Sequence, residues 1–357
     1  MVQSINEIEN GKIKSLFNFL CENVEEKIKT KTGKTSKDRE GNEKTDQSIK
    51  LKEGILENTS FFTVEKTEID GRQEISVNKI EIDKTIAKII LSTYKRNFEK
   101  TIIKHNYQII DYDIEYELAK EHKIMTETKD KVHKLNEIIT KINDFNGCNQ
   151  EIDFKKLSFF VIKTDFDGKS AYFFERFENV MKLEKTRLMR LLGKKNEKKF
   201  NTVSGDFLYL KYNLPCYLFD DEMFILKKYI FEDIFDYSEK YKKVCKDKEN
   251  INFISGLDMC SDIKEFTDAL DTDNMNVLRK FSKVMQEKEM IKSLFADFNK
   301  IKELVKEHNK YSTIVIENDK INIKKSNFQT ILKLLNRDHL EHKITKERFE
   351  SNSKIKD

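Results

Sequence analysis

Residues 156–177 read KLSFFVIKTDFDGKSAYFFERF. Two apolar runs, Phe159-Phe160-Val161-Ile162 and Tyr172-Phe173-Phe174, flank Asp167-Gly168. A two-residue hairpin turn asks its central residues for positive φ, which Gly adopts freely and Asp tolerates. Aromatic and β-branched runs on either side of such a pair predict a β-hairpin. The runs are too continuous for an exposed face, so they are assigned to the core.

The same signal recurs along the chain. Phe61-Phe62-Thr63-Val64, Asp70-Gly71 and then Ile75, Val77, Ile80 and Ile82 predict an earlier hairpin. A shift in alternation between Val77 and Ile80 predicts a bulge there. Cys216–Phe219, Asp220-Asp221-Glu222 and Met223–Leu226 predict a third hairpin, and Asn318-Asp319 turns a last one. Between them the period becomes helical. Ile86, Ile90, Tyr94, Phe98 and Ile102 recur every four residues, and further helices are expected over 4–24, 132–145, 178–192, 229–246, 262–271, 273–291, 294–308 and 327–336. Hairpins separated by helices, without a β-α-β period and glycine-rich crossovers, give an α+β class: antiparallel hairpins and sheets packed with several helices.

Asn146-Gly147-Cys148-Asn149 ends a helical pattern and predicts a boundary between an N-terminal α+β domain, 1–147, and a C-terminal one, 148–357. From Lys29 to Ser48 there is no apolar side chain, so 29–48 is expected to be a mobile polar insert. Thr32-Gly33-Lys34-Thr35 lies within it. A phosphate loop would need glycine where Ile28 stands and an apolar strand before it, so that motif is rejected.

Charged residues make up 36% of the chain and hydrophobic ones 38%, which describes a highly solvated surface around a core that 26 Phe residues help to build. No apolar run approaches the roughly 18 residues of a membrane helix, and Met1–Glu7 lacks the character of a signal peptide. A cytoplasmic protein is expected. Cys21, Cys148, Cys216, Cys245 and Cys260 form no C-x-x-C pair, so they are read as reduced and mostly buried.

The search for chemistry yields little that would catalyse. His339 and His342 could share a helix face, but no H-E-x-x-H spacing exists and Lys343 crowds the pair. Ser204-Gly205 lacks the glycine of a nucleophile elbow. Asp165, Asp167, Asp220 and Asp221 could bind Mg²⁺ as a nuclease would, although hairpin tips are ordinarily acidic and polar. No metal, cofactor or catalytic residue is assigned. The basic residues say more. Lys185, Arg187, Arg190, Lys194, Lys195, Lys198 and Lys199 stand together against one acid, Glu197. A concentrated basic edge of this kind suits a phosphate backbone, and lysines at a helix end also complement its dipole. A second run, Lys333, Arg337, Lys343, Lys346, Arg348 and Lys354, is interspersed with acids.

Three stretches carry a family likeness. They are the hairpin from Lys156 into Phe174-Glu175-Arg176-Phe177; Tyr217–Leu226 with Phe231-Glu232, Phe235 and Tyr237; and Leu334-Leu335-Asn336-Arg337-Asp338-His339-Leu340 with Thr345 and Ser353-Lys354. Their order resembles the KwaB family, the soluble component of the Kiwa antiphage system, over roughly 155–354. The resemblance implies DNA binding without strong sequence preference and interference with phage DNA replication or expression. It also implies a KwaA-like membrane partner that recruits the protein to the inner face of the membrane, and assembly as a homo-oligomer. The residues leave two alternatives open: a metal-dependent nuclease and a protein-interaction scaffold.

Overall fold

The computed structural model describes residues 8–27, 45–69, 72–114, 123–146, 156–178, 182–183, 188–192, 199–203, 207–208, 214–257, 263–307, 311–318, 320–324, 326–337, 339–341 and 348–350. The chain is α+β and forms two compact units, residues 1–111 with 118–235, and residues 112–117 with 236–357.

In the first unit, α1 (Gly11–Leu20) opens at Asn10, whose side chain accepts from the Lys12 and Ile13 amides, as a helix N-cap does. Strands β1 (Cys21–Lys27) and β2 (Thr45–Leu51) form an antiparallel ribbon, and α2 (Glu53–Glu57) follows. Then come β3 (Thr59–Ile69), β4 (Arg72–Ile80), α3 (Lys84–Asn97), a π-helix (Phe98–Ile103), β5 (Gln108–Asp111), β6 (Lys123–Thr128) and α4 (Leu135–Asn143). The chain continues through β7 (Leu157–Phe166), β8 (Lys169–Arg176), β9 (Lys182–Leu183), β10 (Leu188–Leu192), β11 (Lys199–Val203), β12 (Phe207–Leu208), β13 (Cys216–Phe219), β14 (Glu222–Ile225) and α5 (Lys228–Ile234). Eight of the strands make one sheet in the order β4-β3-β7-β8-β13-β14-β6-β5.

The period-2 pleat decides what each face receives. Phe61, Ile162, Phe173, Tyr217 and Phe224 lie opposite one another on successive strands. They join Leu16, Phe17 and Leu20 of α1 and Ile90, Leu91 and Tyr94 of α3 in one buried cluster. The neighbouring row, Phe62, Val161, Phe174, Cys216 and Ile225, points to the other face. There Phe62 meets Phe145, and Phe174 meets Phe235 after α5. A sheet covered on both faces explains why its strands are near-continuous apolar runs.

Two of the expected turns have the predicted backbone: Asp167 and Gly168 lie at φ 50° and 71°, Asp220 and Asp221 at φ 50° and 57°, while Asp70, Gly71 and Asp319 lie outside the described residues. Positive φ at both central positions is the hairpin geometry that matches strand twist.

Tyr217 is fully buried, stacked on Phe224 with centroids 4.6 Å apart and edge-on to Phe98 at 5.3 Å. Its hydroxyl has no hydrogen-bond partner, and burial holds the phenol well above its ordinary pKa. Leaving a buried donor unpaired costs about 1–3 kcal/mol. Tyr217→Phe is therefore expected to stabilise the protein by about 1 kcal/mol. The measurement is the urea midpoint at unchanged slope, and a lower midpoint would contradict it.

Several expectations are corrected. The boundary at 147/148 falls inside the first unit, because strands from both sides of it pair in one sheet. The β3–β4 register runs unbroken from Phe61↔Ile80 to Ile69↔Arg72, so no bulge sits between Val77 and Ile80. The irregularity lies between β3 and β7, where Val64 pairs with Phe159 and Glu65 with Leu157. Residues 45–48 of the expected polar insert belong to β2 and pair with Val24–Lys27; the ribbon's base is anchored by Cys21↔Leu51, and Ile49 is buried. Residues 21–24 are strand rather than a continuation of α1. Residues 188–192 are strand rather than helix, their hydrogen bonds coming from 199–203; pairing overrides the helix propensity of Leu, Met and Arg. Strand β5 pairs in parallel with β6, an exception to the antiparallel pairing expected.

The second unit is mainly helical: α6 (Tyr237–Lys246), α7 (Lys248–Ser255), α8 (Ile263–Leu270), α9 (Met275–Gln286), α10 (Lys288–Phe295), α11 (Phe298–Glu307) and α12 (Phe328–Leu335). Strand pairs β15 (Val315–Glu317) with β16 (Lys320–Asn322) and β17 (His339–Glu341) with β18 (Arg348–Glu350) complete it. The helix expected over 273–291 is broken at Glu287. Phe266 packs edge-on against Phe281 and Phe328 in the core. Tyr112 and Asp113 join this unit through the Lys283–Asp113 ion pair at 2.8 Å and the Tyr112–Tyr241 hydroxyl contact at 3.0 Å.

Candidate nucleic-acid interface

Five of the seven expected phosphate-contacting residues, Lys185, Arg187, Lys194, Lys195 and Lys198, lie outside the described residues. Arg190 lies on β10 and Lys199 on β11. The hairpin pairs Arg190 with Asn201 and Leu192 with Lys199, two register steps apart. A strand replaces the last helical turns on which Arg190 was expected, so the helix-dipole account of Arg190 does not apply.

The acids of the nuclease alternative sit at one end of the large sheet, on the β7–β8 and β13–β14 tips, and are interleaved with lysines. Asp165 pairs with Lys163 at 3.1 Å and accepts from the Ser170 hydroxyl. Asp220 pairs with Lys169 at 2.8 Å, and Asp221 with Lys129 at 3.5 Å. Glu222 is bonded by Lys12. These pairs are surface-exposed and each contributes at most about 1 kcal/mol to stability. Chemically they make a rim of mixed sign, suited neither to concentrating a cation nor to attracting a polyanion. Among the described residues no group of three or more His, Cys, Asp or Glu side chains is placed to hold a metal ion. His339 lies on strand β17 rather than a helix, and His342 is outside the described residues.

Cys21, Cys216 and Cys245 are buried free thiols, while Cys148 and Cys260 lie outside the described residues. Burial pushes the Cys21 and Cys245 thiols up to about 12, which keeps them protonated and poor nucleophiles.

One basic surface escaped the reading of the sequence. Lys84, Lys88, Arg96, Lys100 and Lys104 recur at multiples of four along α3 and the π-helix, and all are exposed. Of the apolar residues that recur every four positions, Ile90, Tyr94, Phe98 and Ile102 are buried and Ile86 is exposed, and the same spacing carries this second, basic pattern on the opposite side.

Among the described residues no helix is long and apolar enough to cross a membrane. A family model described as Kiwa protein KwaB-like matches residues 154–345, just over half of the 357-residue chain. No curated protein and no solved structure matches.

Proposed function

The chain belongs to the Kiwa protein KwaB-like family, which places it in antiphage defence, and from that membership we propose that it acts by binding DNA without strong sequence preference. Occupancy of phage DNA then interferes with its replication or expression. The observation that carries this reading is the run of seven basic residues with one acid between Lys185 and Lys199, inside the matched segment. Lys185, Arg187, Arg190, Lys194, Lys195, Lys198 and Lys199 neutralise phosphates, and no base readout is required. The protein works in the cytoplasm as a homo-oligomer, recruited to the membrane by a KwaA-like partner.

Phosphate neutralisation releases counterions, so affinity should fall linearly with salt on a log–log scale, by about 0.9 per contact. The test is a titration of the purified protein against a labelled random-sequence duplex at several salt concentrations, with and without Mg²⁺. Salt-sensitive binding to uncut DNA is the expected result. Absence of binding would move the reading to a protein-interaction scaffold, and cleavage with Mg²⁺ would move it to a nuclease built on Asp165, Asp167, Asp220 or Asp221.

A further inference from the structure

Between Thr85 and Tyr107 the sequence has Lys88, Lys95, Arg96, Lys100, Lys104 and His105 against a single acid, Glu99. That acid is already engaged, 2.7 Å from Lys95. At the start of α3, Lys84 is held by Glu53 and Glu57, and Lys88 lies within the field of Glu53. Farther along, Arg96, Lys100 and Lys104 make no ion pair with any described acid and are exposed. The nearest acid on the flanking segment, Glu9, lines the same hollow as Lys104 and accepts from Asn106 Nδ2 at 2.8 Å.

The π-helix is what aligns the three. In a regular α-helix a four-residue step overshoots the turn of about 3.6 residues, so side chains at that spacing wind around the axis. Here Lys104 N–H donates to Glu99 O at 3.1 Å and Tyr107 N–H to Ile102 O at 3.1 Å, both five-residue bonds. The wider π turn makes a four-residue step fall short, and the two deviations offset each other. Arg96, Lys100 and Lys104 therefore lie along one side in a row no longer than about 12 Å, the length eight residues would span at the α-helical rise of about 1.5 Å per residue. Ala87, Ile90, Leu91, Tyr94, Phe98 and Ile102 are buried on the other side.

We infer that this row is a second DNA-phosphate contact, a rail in the N-terminal half of the chain that lies outside the family match. The inference rests on the DNA-binding reading and extends it to a surface the 185–199 run does not include. With about 3.4 Å of duplex axis per phosphate on each strand, a row of at most about 12 Å spans roughly three phosphates. A duplex fits the row better than a membrane surface does. A helix lying in a bilayer interface inserts its apolar side, and the apolar side of this one is consumed by the core. Only Ile86 and Ile89 remain exposed, at the end away from the row.

The test uses the full-length protein and a labelled random-sequence 30-base-pair duplex. Arg96→Glu/Lys100→Glu/Lys104→Glu is compared with wild type across a salt series, with anionic vesicles as a parallel ligand. The triple variant is expected to lose affinity on the order of tenfold or more and to shed about 2–3 units of salt slope. An unchanged circular dichroism spectrum checks folding, and the triple alanine variant should move the same way by less. Wild type that binds while the triple variant matches it in affinity and slope overturns the rail and leaves the DNA-binding reading standing. Wild type that fails to bind DNA overturns both. Vesicle binding lost in the triple variant while DNA binding is kept would reassign the row to a lipid surface and overturn the rail.

Discussion

Reversing Lys194, Lys195, Lys198 and Lys199 together to glutamate is expected to reduce duplex affinity on the order of a hundredfold or more and to lower the salt slope by about 3–4 units. Each reversal removes one phosphate neutralisation and adds a repulsion, so the loss should be similar for unrelated DNA sequences. Phage plaquing efficiency in cells carrying the system should rise toward that of undefended cells. Retained defence with unchanged affinity would favour the scaffold reading. Lost defence with unchanged affinity would place these lysines on a partner protein instead.

The second large effect concerns the core. Phe173→Ala is expected to destabilise the first unit by about 3–5 kcal/mol, a large share of the 5–15 kcal/mol that folded domains typically have. Phe173 is fully buried on β8, between β7 and β13, with Tyr94 of α3 at 5.2 Å and Tyr217 at 6.1 Å. Truncating it leaves a cavity between the helical layer and the centre of the sheet that neither side can close. Tyr229→Ala, at a position 60% exposed, serves as the control and should shift stability by no more than about 0.5 kcal/mol. A denaturant midpoint for Phe173→Ala within the range of the control would show that this row does not tie the helices to the sheet.

Much of the local structure was legible in the residues. Asp167-Gly168 and Asp220-Asp221 named their turns because few residue types tolerate positive φ at both central positions. Ile90, Tyr94, Phe98 and Ile102 named the buried side of α3 and the π-helix through their four-residue recurrence, and all four are buried. Residues 188–192 misled because Leu, Met and Arg favour a helix in isolation, whereas hydrogen bonding to 199–203 is a non-local choice. The site was less legible than the fold. A basic run adjacent in sequence announces itself, but Arg96, Lys100 and Lys104 become one feature only when a helix brings every fourth residue to the same side. The π turn beside them is set by how the helix packs rather than by a local sequence signal.

By itself, then, the sequence determined the class, the hairpins, the main helices and the family likeness, because each depends on residues close together in the chain. The tertiary structure decided which hairpins share a sheet. It placed β3 beside β7, across the tract that had looked like a domain boundary, and β6 beside both β5 and β14. It also paired two acids of the β13–β14 tip with lysines from other segments, Asp220 with Lys169 and Asp221 with Lys129. Such pairings are set by which apolar faces must be buried together, a condition on the whole unit that no single segment of sequence carries.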